Sequence, residues 1–256
     1  MGRSTQRKAS VGMLSDASPE LLLNEIRVQL SESVDPIYRD GQRAFFQHEV
    51  DTWGVRAIVL KRIAAKAWKT VKVLPVSVRN QLCTMLWESG KLEEGMIVVY
   101  LFERLRKGYG EREFTLFEQW IDRYVNNWAY CDGVSTKLVA AAIANQPGLI
   151  AKLEGWTRSS NRWKRRAAAV SLIWEAKRGR HLREIAYIAE SLLEDADDLV
   201  RKGVGWLLKE AYPAKPAELT SFWEQHAGHT PALVLRIASE KMPRSLVLQL
   251  RALRAG

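Results

Sequence analysis

The chain has 256 residues, with 39 Lys and Arg against 29 Asp and Glu, a formal charge of +10. Hydrophobic residues make up 47% and charged residues 27%, enough apolar surface to offset the entropy of ordering, so a disordered chain is excluded. No apolar run, residues 96–102 being among the longest, approaches the roughly 18 residues of a membrane span, and two cysteines without a C-x-x-C spacing exclude a disulfide framework and a Cys-based zinc module and point to a reducing compartment.

Residues 1–18 read as a disordered polar tail, carrying Arg3, Arg7 and Lys8 with no acid before Asp16. The apolar stretch at 11–14 is too short for a signal-peptide core. Gln6 stands where a myristoylation signal has Ser or Thr. A cytoplasmic protein without a membrane partner is expected, with residues 19–256 forming one helical domain.

Ser18, Pro19 and Glu20 form a helix start: an N-cap, a proline at the first helical position and an early acid. Helical periodicity continues over 55–71, 76–87, 92–105, 113–125, 163–177, 182–193, 199–212 and 233–242, with breaks at Gly90, Gly108, Gly110, Pro147, Gly179, Pro213, Gly228 and Pro231. The one strand-like alternation, 71–78, is interrupted by Pro75. The expectation is an all-α protein. Comparable helix starts near Ala57, Gly95, Tyr130, Arg166 and Gly203 lie roughly 35–38 residues apart, the length of a helix pair in a HEAT-like α-solenoid. In such a stack the second helices of the pairs line a concave face, expected here to be basic.

The charge and the ten tryptophans point to a polyanion. A basic surface attracts nucleic acid through counterion release, and aromatic faces add stacking or attraction to a cation. Basic residues cluster with tryptophan at Arg162, Trp163, Lys164, Arg165 and Arg166, and again at Arg201 and Lys202 before Trp206. No zinc-finger spacing, RNP aromatic motif or basic zipper accompanies them, so a grip on backbone and shape is expected. Trp163 and Trp174 read as packing residues.

Three stretches fall at the repeat spacing. Trp128 and Asp132 are four apart and share one helix face. Arg166 begins Arg-Ala-Ala, whose small residues permit close packing. Gly205 and Trp206 begin Gly-Trp-Leu-Leu-Lys-Glu. With Thr52-Trp53-Gly54-Val55-Arg56 and Leu86-Trp87-Glu88-Ser89 in the N-terminal part, these motifs resemble the AlkD-like DNA alkylation repair glycosylases, proteins of HEAT-like repeats. The likeness is best over 126–242. It departs from the family pattern at Ala129, at Gly133 and in the segment after Gly54, which lacks an expected proline.

The resemblance implies excision of cationic N3- or N7-alkylated purines from double-stranded DNA; no metal or cofactor is expected, and a solenoid of this length can act as a monomer. It implies Asp132 as the catalytic carboxylate, Trp128 and Trp206 as the aromatic pair against the deoxyribose, and Arg166 as a ligand of the DNA backbone. Arg162, Lys164, Arg165, Arg201, Lys202 and Lys209 are secondary DNA-binding candidates. The alternatives are a HEAT-like protein that binds damaged or branched DNA without excising a base, and a scaffold for an acidic protein. Other chemistry finds little support. There is no P-loop, Gly108-Tyr109-Gly110 lacks the rest of a dinucleotide fingerprint, and His226 and His229 have no third ligand nearby. Neither Cys83 nor Cys131 has a local base.

Overall fold

The computed structural model describes residues 18–46 and 50–255; of the tail expected over residues 1–18, all but Ser18 lies outside them. Every regular element among the described residues is helical. No described helix is long and apolar enough to cross a membrane. The chain divides into two compact units, the first ending at Arg104 and the second beginning at Leu105.

The first unit contains α1 (Pro19–Ser31), α2 (Pro36–Phe45), α3 (Ala57–Val71), α4 (Val76–Glu88) and α5 (Leu92–Glu103). Ser18 caps α1 by accepting the Leu21 N–H at 3.2 Å, and Pro19 occupies its first turn, as the sequence predicts. Helices α1 and α4 pack together, α3 packs on α1 and α5, and α4 packs on α5. Leu22, Ile26, Leu30, Leu60, Ile63, Leu82, Leu86, Ile97 and Leu101 fill the space between them. Residues 72–75 turn the chain from α3 into α4, so the strand-like alternation there is not a strand.

A buried carboxylate organises the entry to α3. Glu93, 1% exposed, accepts the Thr52 hydroxyl at 2.7 Å and the backbone N–H groups of Trp53, Gly54 and Val55 at 2.9, 2.9 and 3.0 Å. Its neighbour Glu94 accepts the Trp53 indole and an Arg27 fork. Removing the Glu93 acceptor strands several buried donors. Glu93→Ala is therefore expected to cost about 2–4 kcal/mol of stability, read as a lower midpoint in urea unfolding, with Glu93→Gln recovering part of the loss.

The second unit contains α6 (Glu111–Arg123), α7 (Trp128–Val134), α8 (Ala140–Asn145), α9 (Ile150–Trp156), α10 (Arg162–Val170), α11 (Ile173–Lys177), α12 (Leu182–Leu192), α13 (Asp198–Ala211), α14 (Pro216–His226), α15 (Ala232–Ala238) and α16 (Arg244–Ala255). They stack as helix pairs in the HEAT-like manner. A front row runs α7, α10, α13, α15, each packed on the next, while α9 and α12 pack against one another and against the front row. The repeat starts read from the sequence fall on the right helices, but those after Ala57 begin two to five residues earlier, at Leu92, Trp128, Arg162 and Asp198. In three of them the cause is a capping side chain. Asn127, Asn161 and Asp197 each accept a backbone N–H of the following turn and so open the helix before its apolar stripe begins.

Candidate functional site

The site is built on three consecutive front-row helices. Helix α7 is anchored from behind by Tyr130 and Cys131, both buried. The Cys131 thiol donates to the Trp163 carbonyl of α10 at 3.3 Å. With Tyr130 and Cys131 turned inward, Trp128 and Asp132 share the other face one turn apart, each partly exposed. The helix then widens into a π turn over Ser135–Val139, closed by the Ala140 N–H on the Ser135 carbonyl. The Thr136 hydroxyl donates to the Asp132 carbonyl at 2.6 Å. Asp132 thus stands at the mouth of a local expansion of the helix, a feature found often at functional sites.

Helix α10 carries Ala167, Ala168 and Ala169, all fully buried, and these small residues let its neighbours approach closely. Just before them, Arg166 reaches across to α7. Its Nε donates to Asp132 Oδ1 at 2.8 Å and its Nη2 to Oδ2 at 2.9 Å, a two-point fork. Its Nη1 donates to the Leu199 carbonyl in the first turn of α13. The Asp132 side chain is 18% exposed and that of Arg166 7%.

Helix α13 makes room on both sides by glycine. A Cβ on Gly203 would lie 3.3 Å from Arg166 Cγ, and one on Gly205 would lie 2.9 Å from Ile237 Cβ on α15. Trp206 follows three residues after Gly203, on the same side of the helix, and is partly exposed. Neither Trp128 nor Trp206 is sealed between helices.

Electrostatics follow from this burial. Removal from water pushes the Asp132 carboxyl above its ordinary range, and the Arg166 hydrogen bonds and charge oppose that rise without cancelling it. Burial works against the Arg166 charge, while Asp132 favours it, and the net effect keeps the guanidinium charged. Burial pushes both cysteine thiols up to about 12, which leaves them protonated near neutrality.

The positions of the other sequence candidates change their reading. Arg166 is turned inward, with all three of its nitrogens engaged by Asp132 and Leu199. The secondary cations are also mostly occupied. Arg162 pairs with Asp197 at 3.1 Å and lies over the Trp163 ring. Lys164 bridges Glu118 and Asp122, Arg165 forks onto Asp195, Arg201 pairs with Asp198, and Lys209 pairs with Glu240 at 3.0 Å. Lys202 has no carboxylate partner among the described residues. Trp163 is buried, as a packing residue should be, but Trp174 is 47% exposed and sits beneath Lys177 and Arg178, which corrects its assignment to the core. His226 and His229 contact each other at 3.4 Å, and no group of three or more His, Cys, Asp or Glu able to hold a metal occurs among the described residues.

The sequence reading missed the Leu199 carbonyl, the space left by Gly203 and the π turn. A backbone acceptor and a helix widening leave no sequence signal of their own. Gly203 was visible as a glycine inside an apolar helix, which often marks a close approach.

A family model described as DNA alkylation repair enzyme matches residues 26–242. The chain belongs to that family. Two solved structures share the fold. One, described as a predicted DNA alkylation repair enzyme from Enterococcus faecalis, is 14% identical with a TM-score of 0.75, over 83% of this chain and 98% of that one. The other, AlkD2 from Streptococcus mutans, is 20% identical with a TM-score of 0.55, over 71% of this chain and 87% of that one. No curated protein sequence matches significantly. The span matched to the DNA alkylation repair family runs from α1 past α15 and includes Trp128, Asp132, Arg166 and Trp206.

Proposed function

We propose that this DNA alkylation repair protein is a glycosylase that hydrolyses the N-glycosidic bond of cationic N3- or N7-alkylpurines in double-stranded DNA. The observation that carries the reading is the partly exposed Asp132 carboxylate, held by the Arg166 fork on the same helix face as Trp128. Breaking the N-glycosidic bond builds positive charge on the sugar, as in glycoside hydrolysis. An alkylated purine already carries a positive charge and departs as a neutral base. It needs no general acid, so one carboxylate suffices.

Asp132 supplies negative charge to the electron-poor sugar and accepts a hydrogen bond from the attacking water. Each carboxylate oxygen has a lone pair beyond the one given to Arg166. A carboxylate already oriented by its partner has little reorganisation to undergo as charge develops. Trp128 and Trp206 offer π faces to the sugar cation, an attraction of about 0.5–2 kcal/mol each.

The testing experiment is release of 3-methyladenine and 7-methylguanine from methylated duplex DNA, followed in single turnover across pH. The ionised carboxylate is the active form, and burial raises its pKa. Activity is therefore expected to fall as pH is lowered through a single limb that lies above the usual aspartate range. Activity that stays level down to that range would separate Asp132 from the chemistry. An absence of base release, with DNA binding retained, would favour the reading as a binding protein that excises nothing.

A further inference from the structure

The first unit carries a surface that the site does not use. No acid occurs between residues 55 and 87, whereas Arg56, Lys61, Arg62, Lys66, Lys69 and Lys72 all lie on or beside α3. The structure sorts them. Leu60, Ile63, Ala64 and Val71 form the buried face. At 3.6 residues per turn, Lys61, Arg62, Lys66, Lys69 and Lys72 fall on the opposite face, and all are exposed. Arg56 pairs with Asp35, and Lys61 lies over the Tyr100 ring. Arg62, Lys66, Lys69 and Lys72 have no carboxylate partner among the described residues.

This differs from the second unit, where Arg162, Lys164, Arg165 and Arg166 on α10 each meet a carboxylate of another element. On α3 the cations face one another at spacings of three and four residues, an arrangement that destabilises a free helix. From Arg62 to Lys72 the stripe rises about 15 Å. Along the axis of a DNA duplex, one strand carries about four phosphates over the same distance. Ile58 and Val73 flank the cations at the two ends, and Trp68, partly exposed, lies on the same helix between Lys66 and Lys69 in sequence.

We propose that the exposed face of α3 grips the phosphate backbone of double-stranded DNA, so that the first unit supplies much of the affinity while Asp132 in the second supplies the chemistry. The choice of DNA as the polyanion rests on the function proposed above. The test replaces Arg62, Lys66, Lys69 and Lys72 together by Gln in the full chain. A control variant replaces Arg183, Arg236, Arg244 and Arg251 by Gln, which removes the same charge from exposed positions of the second unit.

Fluorescence anisotropy with an undamaged duplex, across a range of NaCl concentrations, is the readout. The α3 variant is expected to bind more than about tenfold more weakly at 0.1 M salt, and its slope of log K against log salt should flatten by about 3–4. The control should stay near wild type. Wild-type affinity and slope in the α3 variant, or an equal loss in the control, would overturn the proposal. The anisotropy result stands whether or not any base is released, so failure of the glycosylase reading and failure of the α3 reading remain distinguishable.

Discussion

Asp132→Asn is expected to slow release of alkylated purines by about 10²–10³-fold, the loss typical of deleting one preorganised electrostatic group. The substitution preserves the shape of the side chain and removes its charge. The sugar cation then develops without its counter-ion, and the attacking water loses its strongest acceptor. Binding of undamaged duplex should persist, because Asp132 sits behind no phosphate contact in this reading. Arg166 keeps one acceptor on the substituted side chain and another on the Leu199 carbonyl, so the variant should remain folded; thermal unfolding checks this. Equal base release from both proteins would remove Asp132 from the mechanism.

Arg166→Ala should have the largest effect on stability. It leaves a carboxylate that is 18% exposed without its fork, and breaking one side of a buried ion pair costs about 3–5 kcal/mol. The remaining carboxyl should titrate higher still, because burial persists while the opposing charge is gone. The acidic limb of the activity profile should therefore move further up, with the surviving rate below wild type at neutral pH. Arg166→Lys keeps a charge but not the planar two-point geometry, and should fall between the two. Removing both partners, as in Asp132→Asn with Arg166→Gln, should restore part of the stability without restoring base release. A backbone phosphate ligand would behave differently. Arg166→Ala would then weaken DNA binding, reduce its salt slope by about one and leave folding stability nearly unchanged. Urea unfolding and a salt titration on the same variant separate the two roles.

Much of the architecture was legible in the sequence, and the reasons are local. Apolar residues on one face of α3, α12 and α13 repeat at the helical period, and Ser18 with Pro19 announces the start of α1. The short α9 escaped the sequence reading, and so did α2, an amphipathic helix of ten residues none of which is buried. Trp128 and Asp132 were recognisable as neighbours because a spacing of four on a helix is enough to place two side chains on one face.

Pairing across helices was not legible. Arg166 and Asp132 lie 34 residues apart in the chain, and whether an arginine meets an acid or a phosphate depends on where α10 seats against α7 and α13. The same holds for Arg162, Lys164, Arg165 and Lys209, whose carboxylates lie 30 or more residues away in the chain, and for Trp174, whose exposure is decided by what its helix leaves uncovered. Periodicity, capping and spacing are properties of a chain acting on its near neighbours, so the sequence by itself determined an all-α protein of repeated helix pairs and the two residues on α7. Charge neutralisation and burial arise only when distant segments meet, and so the tertiary structure alone decided that Arg166 meets the Asp132 carboxylate and that Trp174 stays exposed.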